Sequence, residues 1–237
     1  MGFADDFKED QTLQIQVVCV AFFLIVFPTY FFMKAAATDD PSGMGGVGTY
    51  TVTAEFSYID FDSGEEEIAD GETYSLDLIP DSIPDIVDKN IVGVLLSMNY
   101  GEDETGSGAI QCVGPNSGQN APDTITGTAS YMEDTNTSDG QNQGGSGSHA
   151  VITQWYNSSM IGEEISGFSE SEITSELDFT EYGTLGTYSI SIAVEANAGN
   201  GLSPGCDRED LGETVSFTVQ LIVLDYDITP YIDIEDL

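Results

Sequence analysis

From Gln11 to Met33 the chain runs for 23 residues without a charge, QTLQIQVVCVAFFLIVFPTYFFM. Wound as a helix at 1.5 Å per residue, this run reaches roughly 34 Å, enough to cross a hydrocarbon core about 30 Å thick. Its apolar residues point in every direction around such a helix, which suits lipid better than the one-sided core of a soluble protein. Val17, Phe22, Phe23, Leu24, Phe27 and Phe31 are the anchoring side chains on this reading. Pro28 kinks the helix near its outer end, and Tyr30, Phe31 and Phe32 fall where aromatic rings favour the interface. The expectation is one transmembrane helix over residues 11–37, after a short tail over residues 1–10 and before a tether over residues 38–46 rich in Gly, Asp and Pro.

A cleaved secretory signal is the rival, with Ala35-Ala36-Ala37 as its cleavage site. Signals need a basic leader and an apolar stretch of only about 7–15 residues. Here MGFADDFKED sets four acids against Lys8.

The rest of the chain is acidic. Beyond residue 37, 38 of the 42 acids face Lys89 and Arg208 alone, a net charge of about −36. Phosphate binding needs clustered Lys and Arg, so nucleic acid is excluded as a partner. A body so charged repels itself unless salt or divalent cations screen it, which points to saline surroundings.

Orientation has to come from this body, because Lys8 and Lys34 leave the positive-inside rule tied. Asn136-Thr137-Ser138 and Asn157-Ser158-Ser159 are N-glycosylation acceptors, and chance occurrence is their rival reading. Cys112 and Cys206 are the two cysteines beyond the apolar run, and their disulfide would close a loop of about 95 residues, stabilising the fold by roughly 4–5 kcal/mol. Two free thiols are the alternative. Acceptors and disulfide together favour a single-pass protein of the cell membrane, N-terminus inside and C-terminal domain extracytoplasmic.

From Val47 onward the pattern is period two. VGTYTVTAEFSYIDF alternates apolar and small polar residues, and similar stretches recur at residues 73–79, 91–100, 150–156, 173–179, 187–196 and 214–226. SIPDIVDKN reads as a helical turn or two. Many short strands between turn signals favour an all-β fold, an antiparallel immunoglobulin-like β-sandwich over residues 47–237. Residues 101–148, dense in Gly, Ser and Asn, read as long loops inserted into it, with residues 109–113 and 124–131 as strands of one hairpin. A linker between two small domains is the other reading.

Chemistry is sparse. His149 is the lone histidine, with no nucleophile elbow around it, and three cysteines and one histidine at these spacings match no zinc pattern. Calcium is the one cofactor the residues support. Asp60 and Asp62 alternate before the turn glycine Gly64, with Glu65 just after it, although the spacing is not that of an EF-hand. Asp225, Asp227 and the tail Asp233-Ile234-Glu235-Asp236 offer similar dyads, and solvated loop acids are the competing reading for all of them.

The segment Gly186-Thr187-Tyr188-Ser189-Ile190-Ser191-Ile192-Ala193-Val194-Glu195-Ala196-Asn197 resembles the penultimate strand of immunoglobulin-like and polycystic-kidney-disease-type sandwiches. The resemblance implies that Val215–Leu221 is its hairpin partner. It covers about 40 residues and implies a fold, not an activity. Cys112, Trp155 and Cys206 do not sit where the antibody core disulfide and tryptophan would. The overall plan also resembles archaeal cell-surface proteins, including pilin-like subunits and anchored accessory subunits of motility filaments, although Glu9-Asp10-Gln11 lacks the usual processing residues. These features lead to a non-enzymatic, membrane-anchored surface protein that contacts other envelope or membrane-complex proteins. The alternative is an adhesive module that binds glycan or calcium through its long loops.

Overall fold

The computed structural model describes residues 22–26, 29, 46–101, 105–107, 121–142, 145–199 and 207–231. The chain divides into two units, Met1–Val47 and Gly48–Leu237. In the first, Phe22–Val26 form a π-helical turn that includes Leu24, and the exposed rings of Phe22 and Phe23 meet edge to face at 5.8 Å. Among the described residues no helix is long and apolar enough to cross a membrane. Val17, Phe27, Phe31, Cys112 and Cys206 lie outside the described residues.

The second unit is antiparallel β-structure. Its strands are β1 (Gly48–Ala69), β2 (Thr73–Leu78), β3 (Ile91–Tyr100), β4 (Thr105–Ser107), β5 (Thr124–Tyr131), β6 (Asp134–Gln141), β7 (Gly147–Gln154), β8 (Gly162–Phe168), β9 (Tyr188–Glu195), β10 (Asp207–Glu209) and β11 (Gly212–Pro230). One sheet has the order β7-β3-β11-β1-β8, another β2-β9-β5-β6, and β10 pairs with β4.

Two cores explain the plan. Alternate residues of β3, β7 and β11, such as Leu96, Met98, Val151, Val219 and Leu221, face Ile125, Tyr131, Ile190 and Ile192 of the second sheet. That is the sandwich interior. Further along, β1 and β11 run past the second sheet, and the opposite face of the first sheet is buried instead. There Val52, Val92, Ile222 and Leu224 pack on Ile173 and Leu177 of the single described α-helix, α1 (Glu170–Leu177). Neighbouring residues Ile222, Val223 and Leu224 therefore enter opposite cores in turn, as a period of two requires.

One end of the sandwich is closed by rings. Tyr131 stacks on Tyr188 at 4.2 Å, with Trp155 at 4.8 Å and Tyr182 at 5.3 Å from Tyr131. Their polar tips are used: Trp155 Nε1 donates to the Ile91 carbonyl at 3.0 Å, and the Tyr188 hydroxyl to that of Gly183 at 2.6 Å. The Tyr131 hydroxyl is shared between the carbonyls of Tyr182 and Leu185.

Four sequence expectations are corrected. Residues 173–179 read as a strand, yet Ile173 and Leu177 stand four apart on one face of α1 and are both buried. Ser169 and Glu172 close a capping box that starts this helix. The turn read at residues 60–65 is instead the middle of β1, which continues to Ala69. The strands at residues 188–195 and 212–230 make no hairpin: β9 pairs with β2 and β5 in one sheet, β11 with β1 and β3 in the other. Finally, residues 124–131 are no inserted appendage: as β5 they pair with β6 and β9, and Ile125, Ala129 and Tyr131 belong to the sandwich core, while residues 109–113, the other strand expected of that hairpin, lie outside the described residues. SIPDIVDKN, residues 82–90, holds one 3-10 turn, Ile86–Asp88, and a second, Pro80–Ser82, ends on its first residue.

Candidate interaction surface

The terminal strands of the domain pair with one another, from Tyr50 opposite Pro230 to Ala69 opposite Gly212. On its other side β1 is paired with β8 only from Gly48 to Val52. Among the described strands nothing pairs with that side of β1 from Thr53 onward, a run of edge roughly 50 Å long. Strands left open at such length invite pairing, so what the edge displays matters.

A bulge between Asp60 and Asp62 divides the run. Beyond it the edge is guarded. The Asp62 carboxylate accepts the Ser63 backbone N–H at 2.9 Å, and Glu65, Glu66 and Glu67 follow. Before the bulge the two faces differ. Ala54, Phe56 and Tyr58 lie opposite Tyr226, Leu224 and Ile222, on the face that carries α1. Phe56 is 38% and Tyr58 55% exposed, and the Phe56 ring lies 5.7 Å from that of Tyr156. On the reverse face Thr53 lies opposite Asp227 and Glu55 opposite Asp225. The second sheet does not reach this far, so Glu55, Asp225 and Asp227 are exposed along a shallow groove of about 380 Å³ lined by Thr53, Ala54, Glu55, Asp225, Tyr226 and Asp227. The Tyr226 phenol points to the opposite, helix-bearing face, where burial, and then the charge of Asp178, raise it.

The far side of the sandwich is sealed by side chains instead. Asn136 Nδ2 donates to the Ile152 carbonyl at 2.7 Å, tying β6 to β7, and Thr153 Oγ1 donates to Ala129 at 2.8 Å. His149 joins this seam. The Ser138 carbonyl can only accept, so Nε2 (3.1 Å) is assigned the proton, and Nδ1 accepts from the Tyr100 hydroxyl at 3.1 Å. The Nε2 bond thus ties β7 to β6 of the other sheet, while the Nδ1 bond stays within the first sheet, between β7 and β3.

The proposed calcium ligands are separated by the strand they stand on. Asp60 accepts from Gln220 Nε2 at 2.8 Å, and Glu65 from Ser216 Oγ at 3.1 Å. Among the described residues no group of three or more His, Cys, Asp or Glu is placed to hold a metal. Of the glycosylation acceptors, Asn136 is exposed on β6 with its amide in the seam. Asn157 caps the 3-10 turn Ser158–Met160, accepting from Ser159 N–H and Oγ, and donates to Glu176 of α1 at 3.0 Å.

Sequence reasoning did not single out Phe56, Tyr58 or Glu55. The alternation of TYTVTAEFSY places Phe56 and Tyr58 on the apolar face, which is correct, but not that α1 stops short of covering them. Compared with models of known protein families and with curated protein sequences, the chain matches none.

Proposed function

We propose that this chain is a non-enzymatic, membrane-anchored interaction protein that displays an acidic β-sandwich at the cell surface, where it contacts other envelope or membrane-complex proteins. The observation that carries this reading is the pairing of β1 with β11. Both ends of the domain emerge at one pole, where the Tyr231 N–H donates to the Thr49 carbonyl at 3.0 Å. A domain held at one pole presents its remaining length and its open edge to partners. The uncharged run of residues 11–33 supplies the anchor, a single transmembrane helix on this reading. The acidic surface keeps the displayed domain soluble in saline surroundings. The immunoglobulin-like likeness serves only as a description of the sandwich, since β9 and β11 lie in different sheets.

Flotation of the full-length protein with lipid vesicles tests this. The intact chain is expected to float and to resist alkaline extraction, and stoichiometric proteins are expected to accompany it from detergent. Recovery of the intact chain in the soluble fraction would refute the anchor, and absence of companions would refute the interaction role.

A further inference from the structure

We infer that the stretch of β1 from Thr53 to Tyr58 is a strand-addition site for an extended segment of another protein, one that alternates basic with aromatic or aliphatic residues. The inference deepens the interaction role proposed above by naming the chemistry of the partner. Three observations carry it.

The stretch is open, because β8 leaves β1 at the pair of Val52 with Gly162 and no described strand takes its place. Backbone N–H and C=O groups along such an edge supply sequence-independent pairing for an incoming strand.

It is also lightly guarded. Edges are blunted by charges, Pro or a bulge, and here the one charge is Glu55, there is no Lys or Pro, and the bulge comes only at Asp60 and Asp62. Phe56 and Tyr58 lie exposed on one face beside Tyr156, an apolar shelf that rewards an incoming side chain.

The reverse face supplies the sign of the partner. Glu55, Asp225 and Asp227 line the groove there, with Glu55 directly opposite Asp225. A strand laid along β1 projects alternate side chains to the two faces. One set meets the aromatic shelf and the other meets three carboxylates. Lys or Arg fits the second set. A second copy of this chain does not, since it would bring its own Glu55 and a net charge of −38 to the same groove.

The test uses the purified full-length chain in detergent at physiological salt, with the synthetic peptide Lys-Ile-Lys-Phe-Lys-Ile-Lys as probe. The peptide is expected to bind and to slow amide exchange at residues 53–58. A twin of the same sequence N-methylated at every residue keeps the charges and side chains but has no backbone donors, and it is expected not to bind. The combined variant Glu55→Gln, Asp225→Asn, Asp227→Asn is expected to bind the peptide about tenfold more weakly. Equal binding of the N-methylated twin would reduce the effect to general charge attraction and overturn the proposal. Absence of peptide binding, protection elsewhere in the chain, or an unaltered affinity in the variant would overturn it as well. These readouts need no bilayer, so a failed flotation and a failed peptide experiment remain distinguishable.

Discussion

Asn142 and Asp123 hold each other through two hydrogen bonds in the interior: the Asn142 amide donates to Asp123 Oδ2 at 2.8 Å, and the Asp123 backbone N–H donates to Asn142 Oδ1 at 2.9 Å. Both side chains are essentially without solvent exposure. The same amide reaches Glu213 Oε1 at 3.2 Å, while Asn197 N–H donates to Asp123 Oδ1 at 2.6 Å. A single neutral side chain thus joins two buried acids from β11 and the start of the β5 hairpin. Asn142→Leu keeps the bulk and removes the donors, so it is expected to destabilise the domain by about 3 kcal/mol. Urea unfolding should show a lower midpoint at unchanged slope. An unchanged midpoint would show that the bridge contributes nothing.

Alkaline pH should unfold the ring cluster. Burial, and next the neighbouring Tyr182, push the Tyr131 phenol up to about 12. Burial raises Tyr188 further, reinforced by Tyr131 and Tyr182, and burial with Glu213 raises Tyr100. In the unfolded chain each phenol titrates near its ordinary value of about 10. Because the folded state holds these protons more tightly, their contribution to stability is present in full below about pH 10 and is lost as pH climbs from there towards 12. Tyrosinate absorbance for this cluster should therefore rise together with loss of near-ultraviolet dichroism. Ionisation of the cluster near pH 10 with the dichroism intact would contradict the burial argument.

Two glycines separate rigid from yielding contact. A Cβ on Gly183 would lie 2.5 Å from Ile91 Cβ and 2.7 Å from the Ile91 carbonyl oxygen, which also accepts the Trp155 bond. Neither atom can swing away without moving β3. On Gly127 the nearest atom is Met98 Cε at 2.2 Å, the free end of a flexible chain. Gly183→Ala is expected to cost about 3 kcal/mol and Gly127→Ala about 1 kcal/mol, read from thermal unfolding of the two variants. The reverse order would mean that the β5 to β3 contact, not the Gly183 corner, is the tighter joint.

Much of the strand pattern was readable. Ile91–Tyr100 and Thr124–Tyr131 occupy the positions expected from their sequence, as central strands, β5 with one face in the core and β3 with both faces buried along its first half. The polar strand β6, DTNTSDGQ, carries no apolar residue at all. It is held by its pairing with β5, including the hydroxyl pair Thr128 and Thr137 at 3.0 Å, which no periodicity reveals. β1 was cut short because FDSGEEE has the composition of a turn, whereas Gly64 is needed where its Cβ would strike Phe217 at 2.8 Å. The helix α1 escaped the sequence reading although Ser169-x-x-Glu172 marks its start, because its two turns are too short to show a period against the surrounding strands. Of the interaction surface, the acids Asp225 and Asp227 were readable as a dyad, while the open edge depends on where β8 ends, a tertiary fact.

Salt distinguishes screening from specific cation binding. Glu55 and Asp225 are directly opposed across β1 and β11, close enough for their repulsion to act well within the Debye length of about 8 Å at physiological ionic strength. Sodium chloride is therefore expected to raise the melting temperature of the chain steadily. Glu55→Gln should raise it by about 2–4 °C at low salt, and the advantage should vanish near molar salt, where the charges are screened anyway. Calcium at matched ionic strength gives the complementary reading. Asp60 is already engaged by Gln220, and Glu65 by Ser216, at positions fixed by the register of a strand. Calcium and magnesium are accordingly expected to shift the melting temperature equally. A larger shift with calcium, abolished by Asp60→Asn and Asp62→Asn together, would instead show that the bulge in β1 gathers these carboxylates around the ion.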